Sequence, residues 1–393
     1  MLIRRCMALF LELREEVEFS LASLLEGGSG LERSSRWLAL APHIDGDVPL
    51  ATADCELLQA VSPTEWVSRS DLARYPSASV RRLLAAGLLI SDGKRFAYHR
   101  ERDQALRAAG WWPAAAMMHR VGRWQGLDSA KAMVESGMTT ALGIRNTLGA
   151  PPAECRERVS AAERVMLSRG QNDAFESLLA RRASCRNFDA GRRLSGQLFA
   201  RMLQRVFSAQ AQVRVGPDTV FLKKTSPSSG GLHPTEAYLI VQNVEGVAPG
   251  LYHYHPVDHA LEPLPPPELP LDGFARLALA GQHWFADAPV LVVLTPRFAR
   301  SFWKYRHHAK AYRALILDSG HLSQTLYLSA TELGLGAFVT SAINEVDIEE
   351  AFGLDPLQES PLAICGFGWR AERMETAEFD PAGEVWEETP GAG

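Results

Sequence analysis

The stretch that decides the fold runs from Trp303 to Gly336 and reads WKYRHHAKAYRALILDSGHLSQTLYLSATELGLG. Apolar or small residues recur in it at steps of three and four, which is the spacing of one stripe along an α-helix. They are Leu315, Ser319, Leu322, Leu326, Ser329 and Leu333. The spacing predicts a helix from Tyr305 to Leu333, on the order of 43 Å long. A helix of that length would be the central core element of its domain.

Three polar residues lie beside the apolar stripe, and a core role does not account for them. Asp318, His321 and Gln324 follow one another at steps of three. The stretch ends at Gly334, which stands where a helix C-cap glycine belongs, and Gly336 lets the backbone approach another group closely. The pattern therefore indicates a core helix that also carries part of a functional site.

A Lys-Tyr pair, Lys304 and Tyr305, opens the stretch. An ammonium close to a phenol favours the phenolate, and a phenolate can remove a weakly acidic proton near neutral pH. The alternative is a packed tyrosine beside a lysine whose alkyl chain covers apolar surface. The pair alone does not decide between these two interpretations.

Length and composition bound the class of protein. With 393 residues, of which 46% are hydrophobic, the chain is long enough for more than one domain. A net charge of −5 gives no global basic field for nucleic acid, and no apolar run approaches the ~20 residues that span a bilayer. Five cysteines without a CxxC spacing argue against a disulfide framework and a zinc ribbon, so we expect a reduced cytoplasmic protein.

Residues 1–100 are predicted to form a small α+β domain with the element order of a winged helix. Helices are expected at 53–58, 70–74 and 77–86, followed by a short β-element at 88–91. A DNA-binding surface would rest on Arg74, Arg81 and Arg82 alone, which is a thin basic face. The order also resembles the small peptide-binding domains of enzymes that mature ribosomal peptides, which hold a leader peptide along a strand edge.

The remainder divides into a helical linker or arm, 101–172, and a larger domain, 173–393, with an acidic C-terminal tail. Within the arm, a helix is predicted at 153–168, and the Trp and Met residues are typical of a core or a dimer contact. The tail, 372–393, is acidic and lacks periodicity, so we expect it to be mobile or to lie on a partner.

An arginine motif opens the larger domain: Arg181, Arg182, Ser184 and Arg186 fall within six residues. Guanidinium groups donate pairs of hydrogen bonds to phosphate, and the serine hydroxyl adds another donor. The alternative is a solvated basic turn, because charge runs usually lie on the surface.

The loop SPSSGGLHPTE, residues 226–236, is rich in glycine and serine and lies between two predicted strands. Such a loop can contact a flat or anionic ligand through its backbone N–H groups. It lacks the Lys-Ser/Thr of a phosphate-binding P-loop, and the chain contains no GxGxxG dinucleotide fingerprint.

Three histidines, His253, His255 and His259, lie on a predicted hairpin. Alternate residues of a strand point to the same side, so His253 and His255 could seat a metal ion. Half-buried histidines are common on strands, and no further ligand stands at metal spacing except Asp258. We therefore predict no metal site.

Taken in chain order, five segments resemble the nitroreductase-like superfamily. They are RRASCRNF (181–188), SPSSGGLHPTEAYL (226–239), GLYHYHPVDHALE (250–262), the stretch from KYR to GLG (304–336) and GFGWR (366–370). More narrowly, the combination resembles SagB-type FMN-dependent dehydrogenases, which mature ribosomally made peptides by oxidising thiazolines and oxazolines to thiazoles and oxazoles. The resemblance covers about residues 173–370, over half of the chain.

The resemblance implies an α+β, nitroreductase-like FMN-binding fold with a mixed sheet flanked by helices and a long central helix. It also implies a homodimer with FMN at the interface, a precursor-peptide substrate, and a cyclodehydratase or other maturation enzymes as partners. Nucleic acid and membranes are not expected as partners.

The resemblance assigns roles to individual residues. The cofactor-binding residues it implies are Arg182, Ser184, Arg186, Ser228, Ser229, Gly230, Gly231, His233, Gln324, Gly334, Leu335, Gly336 and Arg370. The loop residues among them often come from the other subunit of the dimer. Lys304 and Tyr305 match the catalytic Lys-Tyr pair, although the family spacing is KYGxR, and Thr325 stands where the family usually has asparagine.

The implied mechanism is proton removal by Tyr305, helped by Lys304, with hydride transfer to the flavin. Two alternatives stay open from the residues. One is a nicotinamide-dependent reductase of nitro, quinone or dehydroamino-acid substrates, and the other is a non-catalytic peptide-binding scaffold.

Overall fold

Two units divide the chain in the computed structural model, which describes residues 1–171 and 173–386. The first unit consists of three segments: Met1–Arg123, Phe298–Ala314 and Asp355–Glu359. The remaining described residues form the second unit. The division at residues 100 and 172 that the sequence suggests stays a prediction about folding units.

Antiparallel pairing dominates the strands. In chain order they are β1 (Leu2–Arg5), β2 (Phe10–Phe19), β3 (Leu31–Leu40), β4 (Val48–Leu50), β5 (Val67–Ser68), β6 (Leu89–Ser91), β7 (Ala211–Gly216), β8 (Thr219–Lys223), β9 (Thr235–Val241), β10 (Gly250–His255), β11 (Ala260–Pro263), β12 (Val290–Pro296), β13 (Gly336–Thr340) and β14 (Ala363–Gly368).

The α-helices vary widely in length. In chain order they are α1 (Leu21–Leu25), α2 (Thr52–Ala60), α3 (Ser77–Ala85), α4 (Ala97–Ala109), α5 (Pro113–Gly122), α6 (Ser129–Glu135), α7 (Ala141–Leu148), α8 (Ala174–Arg181), α9 (Gly196–Val206), α10 (Leu271–Ala278), α11 (His283–Ala286), α12 (Phe298–Phe302), α13 (Ala311–Glu332) and α14 (Glu345–Phe352). Short 3-10 helices occur at Arg69–Leu72, Lys94–Phe96, Ala161–Glu163 and Ser229–Gly231.

The first unit contains two three-stranded sheets, ordered β5-β1-β6 and β2-β3-β4. Helices α2 and α3 and strand β6 follow in the predicted order, and their apolar residues form one core that includes Leu57, Leu83 and Ile90. The helix predicted at 70–74 is only a 3-10 turn, Arg69–Leu72. Pro76 follows this segment closely and disfavours helical backbone at the residue that precedes it. A short turn is therefore favoured over a longer helix.

A six-stranded sheet, ordered β11-β10-β9-β12-β14-β13, forms the centre of the second unit. All seven residues of β12 are buried. Since alternate side chains point to opposite faces, Val290, Val292 and Leu294 enter one core, while Leu291 and Val293 enter the other. Helices α9 and α13 cover the first face, and α10 and α14 cover the second.

The predicted mixed sheet is met only in part. Every pairing between the six named strands is antiparallel. The parallel contribution at the β13 edge is an isolated bridge between Ser184 and Ala337. A short extended segment that leaves a helix and passes along a sheet edge can form a single bridge of this kind.

The central helix is α13, Ala311–Glu332, and it begins six residues later than the sequence predicts. His307 interrupts the helical pattern with a left-handed backbone, φ 53°. Its backbone N–H donates to the carbonyl of Gly110 at 2.8 Å, and its ring Nδ1 lies 3.0 Å from the carbonyl oxygen of Trp111. These tertiary contacts within the first unit stabilise a turn where local propensity favours helix.

The helix predicted at 153–168 is wrong, because that segment contains only the 3-10 turn Ala161–Glu163. Val165, Met166 and Leu167 are 83–88% exposed. An isolated helix gains little without a packed face, so an apolar stripe that contacts nothing does not form one. Helices α6 and α7 of the same region bury no residue either.

Among the helices that the structure describes, none has both the length and the apolar composition needed to cross a membrane.

Candidate functional site

Helix α8 delivers the arginine motif. Asp173 caps its start, accepting hydrogen bonds from the N–H groups of Phe175 at 2.6 Å and Glu176 at 3.1 Å. The side chain of Glu176 returns to the Asp173 N–H, which completes a capping box. The helix ends at Arg182, whose extended backbone (φ −71°, ψ 105°) starts the segment that carries Ser184 and Arg186.

This segment runs beside the start of β13. Ser184 bridges Ala337, and the N–H of Cys185 donates to the Ala337 carbonyl at 2.8 Å. The approach requires a glycine at Gly336, because a Cβ there would lie 2.6 Å from the Sγ of Cys185. The structure therefore brings together the arginine motif and the Gly334–Gly336 segment, two of the groups that the sequence singles out.

The arginines of this motif have no carboxylate partner in the described part of the chain. The Arg182 guanidinium carbon lies 5.4 Å from the centroid of the Tyr327 ring. Arg186 is exposed and donates one hydrogen bond, 2.8 Å long, to the carbonyl of Ala377. Ser184 is also exposed, next to both arginines. Two uncompensated guanidinium groups and a hydroxyl make an arrangement that suits an anion.

Tyr327 supports this arrangement from α13, although the sequence pattern does not predict it as a site residue. Its hydroxyl lies 2.8 Å from the Ser184 Oγ and accepts a hydrogen bond from the N–H of Val339 at 3.1 Å. Burial raises the pKa of Tyr327, so the phenol stays neutral and can donate to Ser184. Its position next to Leu326 of the apolar stripe gives no functional signal, because a tyrosine beside such a stripe is usually a core residue.

Arg370 lies next to the same segment but differs from the other arginines. It forms an ion pair with Glu378, and its second guanidinium nitrogen donates to the Ala183 carbonyl at 3.1 Å. The Glu378 carboxylate also accepts from the backbone N–H groups of Arg186 at 2.5 Å and Asn187 at 3.0 Å. The predicted phosphate contact of Arg370 stays a prediction, and an internal carboxylate already balances its charge.

The C-terminal tail packs on its own chain as far as the structure describes it. The side chain of Glu378 is fully buried, and the Trp386 Nε1–H donates to it at 3.0 Å. The expectation of a mobile or partner-bound tail is therefore wrong for residues 372–386, while 387–393 lie outside the described residues. Burial alone would raise the pKa of Glu378, but the charge of Arg370 and the N–H donors together hold it below its usual range.

Acid is therefore expected to release this tail. A carboxyl whose pKa is lower in the folded state stabilises the fold above its unfolded pKa, about 4.3 for glutamate, and this stabilisation disappears as the pH falls through the folded pKa. In Glu378→Gln, the tail should already be released at pH 7, and proteolysis near Trp386 should no longer accelerate below pH 4. Glu372→Gln, an exposed change in the same tail, should keep the wild-type pH profile; equal profiles for both variants would contradict this assignment.

The Ser-Gly loop is attached to α13 through Asp318, one of the polar residues that the core interpretation left unexplained. The buried Asp318 carboxylate accepts from the Ser228 hydroxyl at 2.6 Å, the Ser229 N–H at 3.0 Å and the Ser229 hydroxyl at 3.2 Å. The Ser228 Oγ in turn accepts from the N–H of His233 at 3.0 Å. Asp318 thus fixes both ends of a tight turn.

Glycine is required inside that turn. Gly230 and Gly231 have φ values of 66° and 68°, in the left-handed region that favours glycine, and His233 has φ 45°. A Cβ on Gly231 would meet nothing within 4 Å, so the backbone there is open on one side. Because Asp318 anchors the loop on one side and the backbone at Gly231 is open on the other, the loop can contact a flat ligand with its backbone.

The loop and the arginine motif lie on opposite faces of α13. The Ser226 Oγ lies 2.7 Å from the Thr325 Oγ1, so Thr325 and Asp318, seven residues apart, both hold the loop. At about 100° per residue, these two share one face, and Tyr327, which holds the arginine motif through Ser184, lies about 180° away. The loop and the arginine motif of one chain therefore lie on opposite sides of this helix.

A small cavity of about 10 Å³ lies behind the loop, lined by Lys224, Ser228, His233 and Asp318 among others. Lys224 is only 4% exposed, and burial lowers its pKa although the charge of Glu236 opposes this effect. A cavity of this size holds about one water molecule. The sequence pattern does not single out Lys224, and the only signal for it is its position two residues before the loop 226–236.

The remaining candidates are Gln324, a predicted cofactor residue of α13, His321 on the same helix, and the histidines of the hairpin. Gln324 and His321 are exposed on a face of α13 that also exposes Ile316 and Leu317, at 47% and 56%. The ring of His253 lies 2.6 Å from the Glu262 carboxylate. In the part of the chain that the structure describes, no group of three or more His, Cys, Asp or Glu side chains could hold a metal ion.

Lys304 and Tyr305 belong to the first unit, whereas the other predicted site residues belong to the second. They lie in the turn between α12 and α13, and the Tyr305 N–H donates to the Ser301 carbonyl at 3.2 Å. The Nζ of Lys304 lies 5.6 Å from the centroid of the Tyr305 ring. Lys304 is exposed and Tyr305 is half-buried, so both can contact a substrate from solution.

The residues present fit the phosphate of a flavin mononucleotide. The donor set of Arg182, Ser184 and Arg186 lacks a carboxylate partner, as described above, and a phosphate needs guanidinium and hydroxyl donors of this kind. The open backbone at Gly231 adds a surface on which a planar ring can lie. These residues would hold the cofactor, and none of them would have to break an internal ion pair.

Comparison with known proteins identifies relatives of this chain. The pattern of the nitroreductase family matches residues 179–369. MJ1384 of Methanocaldococcus jannaschii, a nitroreductase by name, is 31% identical over 149 residues, which cover 38% of this chain and 72% of that protein. Trifolitoxin-processing protein TfxB of Rhizobium leguminosarum bv. trifolii is 31% identical over 147 residues, covering 36% of this chain and 38% of that protein.

Two further matches, one by sequence and one by structure, come from Escherichia coli. Microcin B17-processing protein McbC is 27% identical over 187 residues, covering 46% of this chain and 65% of that protein. A chain of the solved microcin synthetase McbBCD complex with truncated pro-MccB17 bound has a TM-score of 0.46 at 21% identity, covering 68% of this chain and 94% of that one. The match thus spans less than two thirds of the length of TfxB and of McbC.

Proposed function

Because the chain belongs to the nitroreductase family, we propose that it is an FMN-dependent dehydrogenase that oxidises thiazoline or oxazoline rings of a ribosomally made peptide to thiazoles or oxazoles. The observation that carries the proposal is the anion-binding arrangement of Arg182, Ser184 and Arg186 beside Gly336. The names of TfxB and McbC, which process trifolitoxin and microcin B17, support a peptide as the substrate.

The protein's own residues would move one proton in this reaction. FMN, when bound, would accept the hydride that leaves the ring. Tyr305 would hold, on its phenolate oxygen, the proton that leaves the neighbouring ring carbon, and the ammonium of Lys304 would stabilise the charge that develops there. Loss of one hydride and one proton converts an azoline into an aromatic azole.

We further propose a homodimer in which each flavin contacts two chains. The loop and the arginine motif lie on opposite faces of α13. A flavin that contacts both would therefore take the arginine motif from one chain and the loop from its partner. The exposed residues Ile316 and Leu317 of α13, and the unburied helices α6 and α7, are surfaces that a second copy could cover.

Flavin affinity is expected to depend on Arg186. Arg186→Ala should weaken FMN binding by about 1.5–3 kcal/mol, the usual contribution of a hydrogen bond to a charged group, or roughly 10- to 150-fold in Kd. Quenching of FMN fluorescence during titration measures this change. Arg181→Ala is the matched control, because Arg181 is exposed and donates only to the Ser177 carbonyl, so its Kd should stay at the wild-type value. Full affinity in Arg186→Ala would argue against the phosphate assignment.

Mixed dimers test whether each site is shared. Arg186→Ala damages the arginine motif, and Asp318→Ala damages the attachment of the loop. If each site combines the motif of one chain with the loop of the other, a mixed dimer of the two variants contains one intact site and one doubly damaged site. Subunits with different affinity tags, refolded together and purified as the mixed dimer, should bind one FMN with wild-type affinity. A mixed dimer without a tight site would place both groups in one chain.

We propose that the precursor peptide binds to residues 1–100. Strand β2 pairs with β3 on one side only among the described residues, and its Leu11, Leu13, Val17 and Phe19 are 46–69% exposed. A free edge next to an apolar face suits the addition of a peptide strand. DNA is a weaker candidate, because Arg82 forms an ion pair with the buried Asp54. Hydrogen exchange should show β2 protected by a precursor peptide, and unchanged exchange there would exclude this surface.

Mass spectrometry tests the reaction. Co-expression with a precursor peptide and its cyclodehydratase should yield a peptide that has lost two hydrogens per ring, in a yellow preparation of the purified protein. The name of MJ1384 favours the alternative, a nicotinamide-dependent reductase, which would instead oxidise NADPH in the presence of a nitro compound or quinone. A colourless protein that binds peptide without changing its mass would be a scaffold.

A further inference from the structure

A cavity of about 420 Å³ opens in the second unit, away from the residues discussed so far. Its walls are the proline-rich segment 265–269, helix α10 and helix α14 from Asp347 onward. Phe274 and Phe352, both buried in the core beneath the sheet, contribute to the lining. The volume falls within the range of about 300–1,000 Å³ that is typical of ligand sites.

The charged groups of this lining are all acidic. Glu268, Asp347 and Glu350 line the cavity, and among the described residues no lysine, arginine or histidine does. Asp347 accepts a hydrogen bond from the Gly126 N–H at 2.8 Å. Glu268 and Glu350 are exposed, and within the described ranges neither carboxylate forms a hydrogen bond or an ion pair. Two unpaired carboxylates at the rim of a partly apolar cavity favour a cationic occupant.

The backbone at the rim reinforces this preference. Pro265, Pro266 and Pro267 are consecutive residues of the lining. Proline has no N–H group and a fixed φ, so this wall is rigid and presents carbonyl oxygens without backbone donors. Because the three prolines add no donor to the three carboxylates, this part of the lining is rich in acceptors. Arginine and lysine side chains are donors only, and they are therefore its chemical complement.

We propose that this cavity binds a basic segment of a polypeptide and seats an arginine or lysine beside an apolar residue. The charged end would lie between Glu268 and Glu350, and the alkyl chain would cover Phe274 and Phe352, as long cationic side chains do on apolar surface. The volume exceeds what one basic side chain fills, and Leu269 and Leu277 provide apolar surface for a neighbour. The inference does not depend on the redox reaction.

Fluorescence anisotropy of the full chain with a labelled peptide of alternating leucine and arginine tests the proposal. The wild-type protein should bind this peptide at least tenfold more tightly than a peptide of the same length with citrulline in place of arginine, since citrulline keeps the shape and loses the charge. Equal binding of the two peptides would overturn the proposal. Displacement by spermidine at the concentration at which the peptide binds would also overturn it, because the occupant would then be a small polyamine.

Variants test whether the labelled peptide binds in this cavity. The double change Glu268→Gln and Glu350→Gln should weaken binding roughly three- to tenfold, as expected for two partly exposed charge pairs. Leu269→Lys places a competing cation at the rim and should weaken binding similarly. The double change Asp272→Asn and Asp287→Asn removes two exposed carboxylates of the same unit outside the lining and should leave binding unchanged. Undiminished binding by both cavity variants would overturn the proposal.

Discussion

Tyr305→Phe is expected to oxidise a precursor peptide about 10²–10⁴-fold more slowly than the wild-type protein, the usual loss on removal of a general base. The variant should retain FMN and its dimeric state, because Tyr305 belongs to the first unit and the residues proposed to hold the flavin belong to the second. Single-turnover kinetics with a cyclised peptide measures the loss. The absorbance of bound flavin, recorded on the same sample, shows that the cofactor is present.

The lysine next to it is expected to act on the same step. Lys304→Ala should slow turnover because the phenolate loses a nearby ammonium, whose Nζ now lies 5.6 Å from the ring centroid. Tyr98→Phe is the matched control, an exposed tyrosine of the first unit that should show wild-type rates. If Tyr305→Phe and Lys304→Ala oxidise peptide as fast as the control, the catalytic pair is wrong and a reductase becomes the better proposal.

Asp318→Asn is expected to have the largest effect on the structure of the site. The carboxylate accepts three hydrogen bonds from Ser228 and Ser229, and each bond to a charged group contributes about 1.5–3 kcal/mol. An amide can face these donors with only one oxygen. We expect a loss of about 2–4 kcal/mol in the free energy of unfolding, because such contributions are not additive. FMN affinity should fall as well, since the loop would no longer hold its open conformation.

A second buried aspartate serves as a control that distinguishes the loss of stability from the loss of FMN affinity. Asp103 of the first unit accepts hydrogen bonds from Arg4, Arg107 and the Met7 N–H, so Asp103→Asn should destabilise the protein to a similar extent. It should leave FMN affinity unchanged, because it lies outside the unit that carries the proposed flavin contacts. Denaturant unfolding and FMN titration on both variants give the comparison. Equal FMN affinities for the two variants would show that Asp318 only stabilises the fold.

The amino-acid pattern alone was enough to predict the fold family and two of its elements. The hairpin of β10 and β11 and the apolar stripe of α13 follow from periodicity that local backbone geometry imposes, and the structure has both. The expected α+β nitroreductase-like fold is confirmed. Residue types alone also made Arg182, Ser184 and Arg186 candidate donors for an anion, since that chemistry belongs to the side chains themselves, and their role stays a prediction.

Where these patterns stop, and what each polar residue contacts, depends on the folded chain. The helix from Tyr305 begins late because Gly110 and Trp111, almost 200 residues earlier in sequence, hold His307 in a turn. Glu378 binds the N–H groups of Arg186 and Asn187 across a separation of about 190 residues. Asp318 and Tyr327 hold the loop and the arginine motif on opposite faces of one helix. Such contacts depend on chain segments that are distant in sequence, and their free energy outweighs the local preferences that a sequence pattern records.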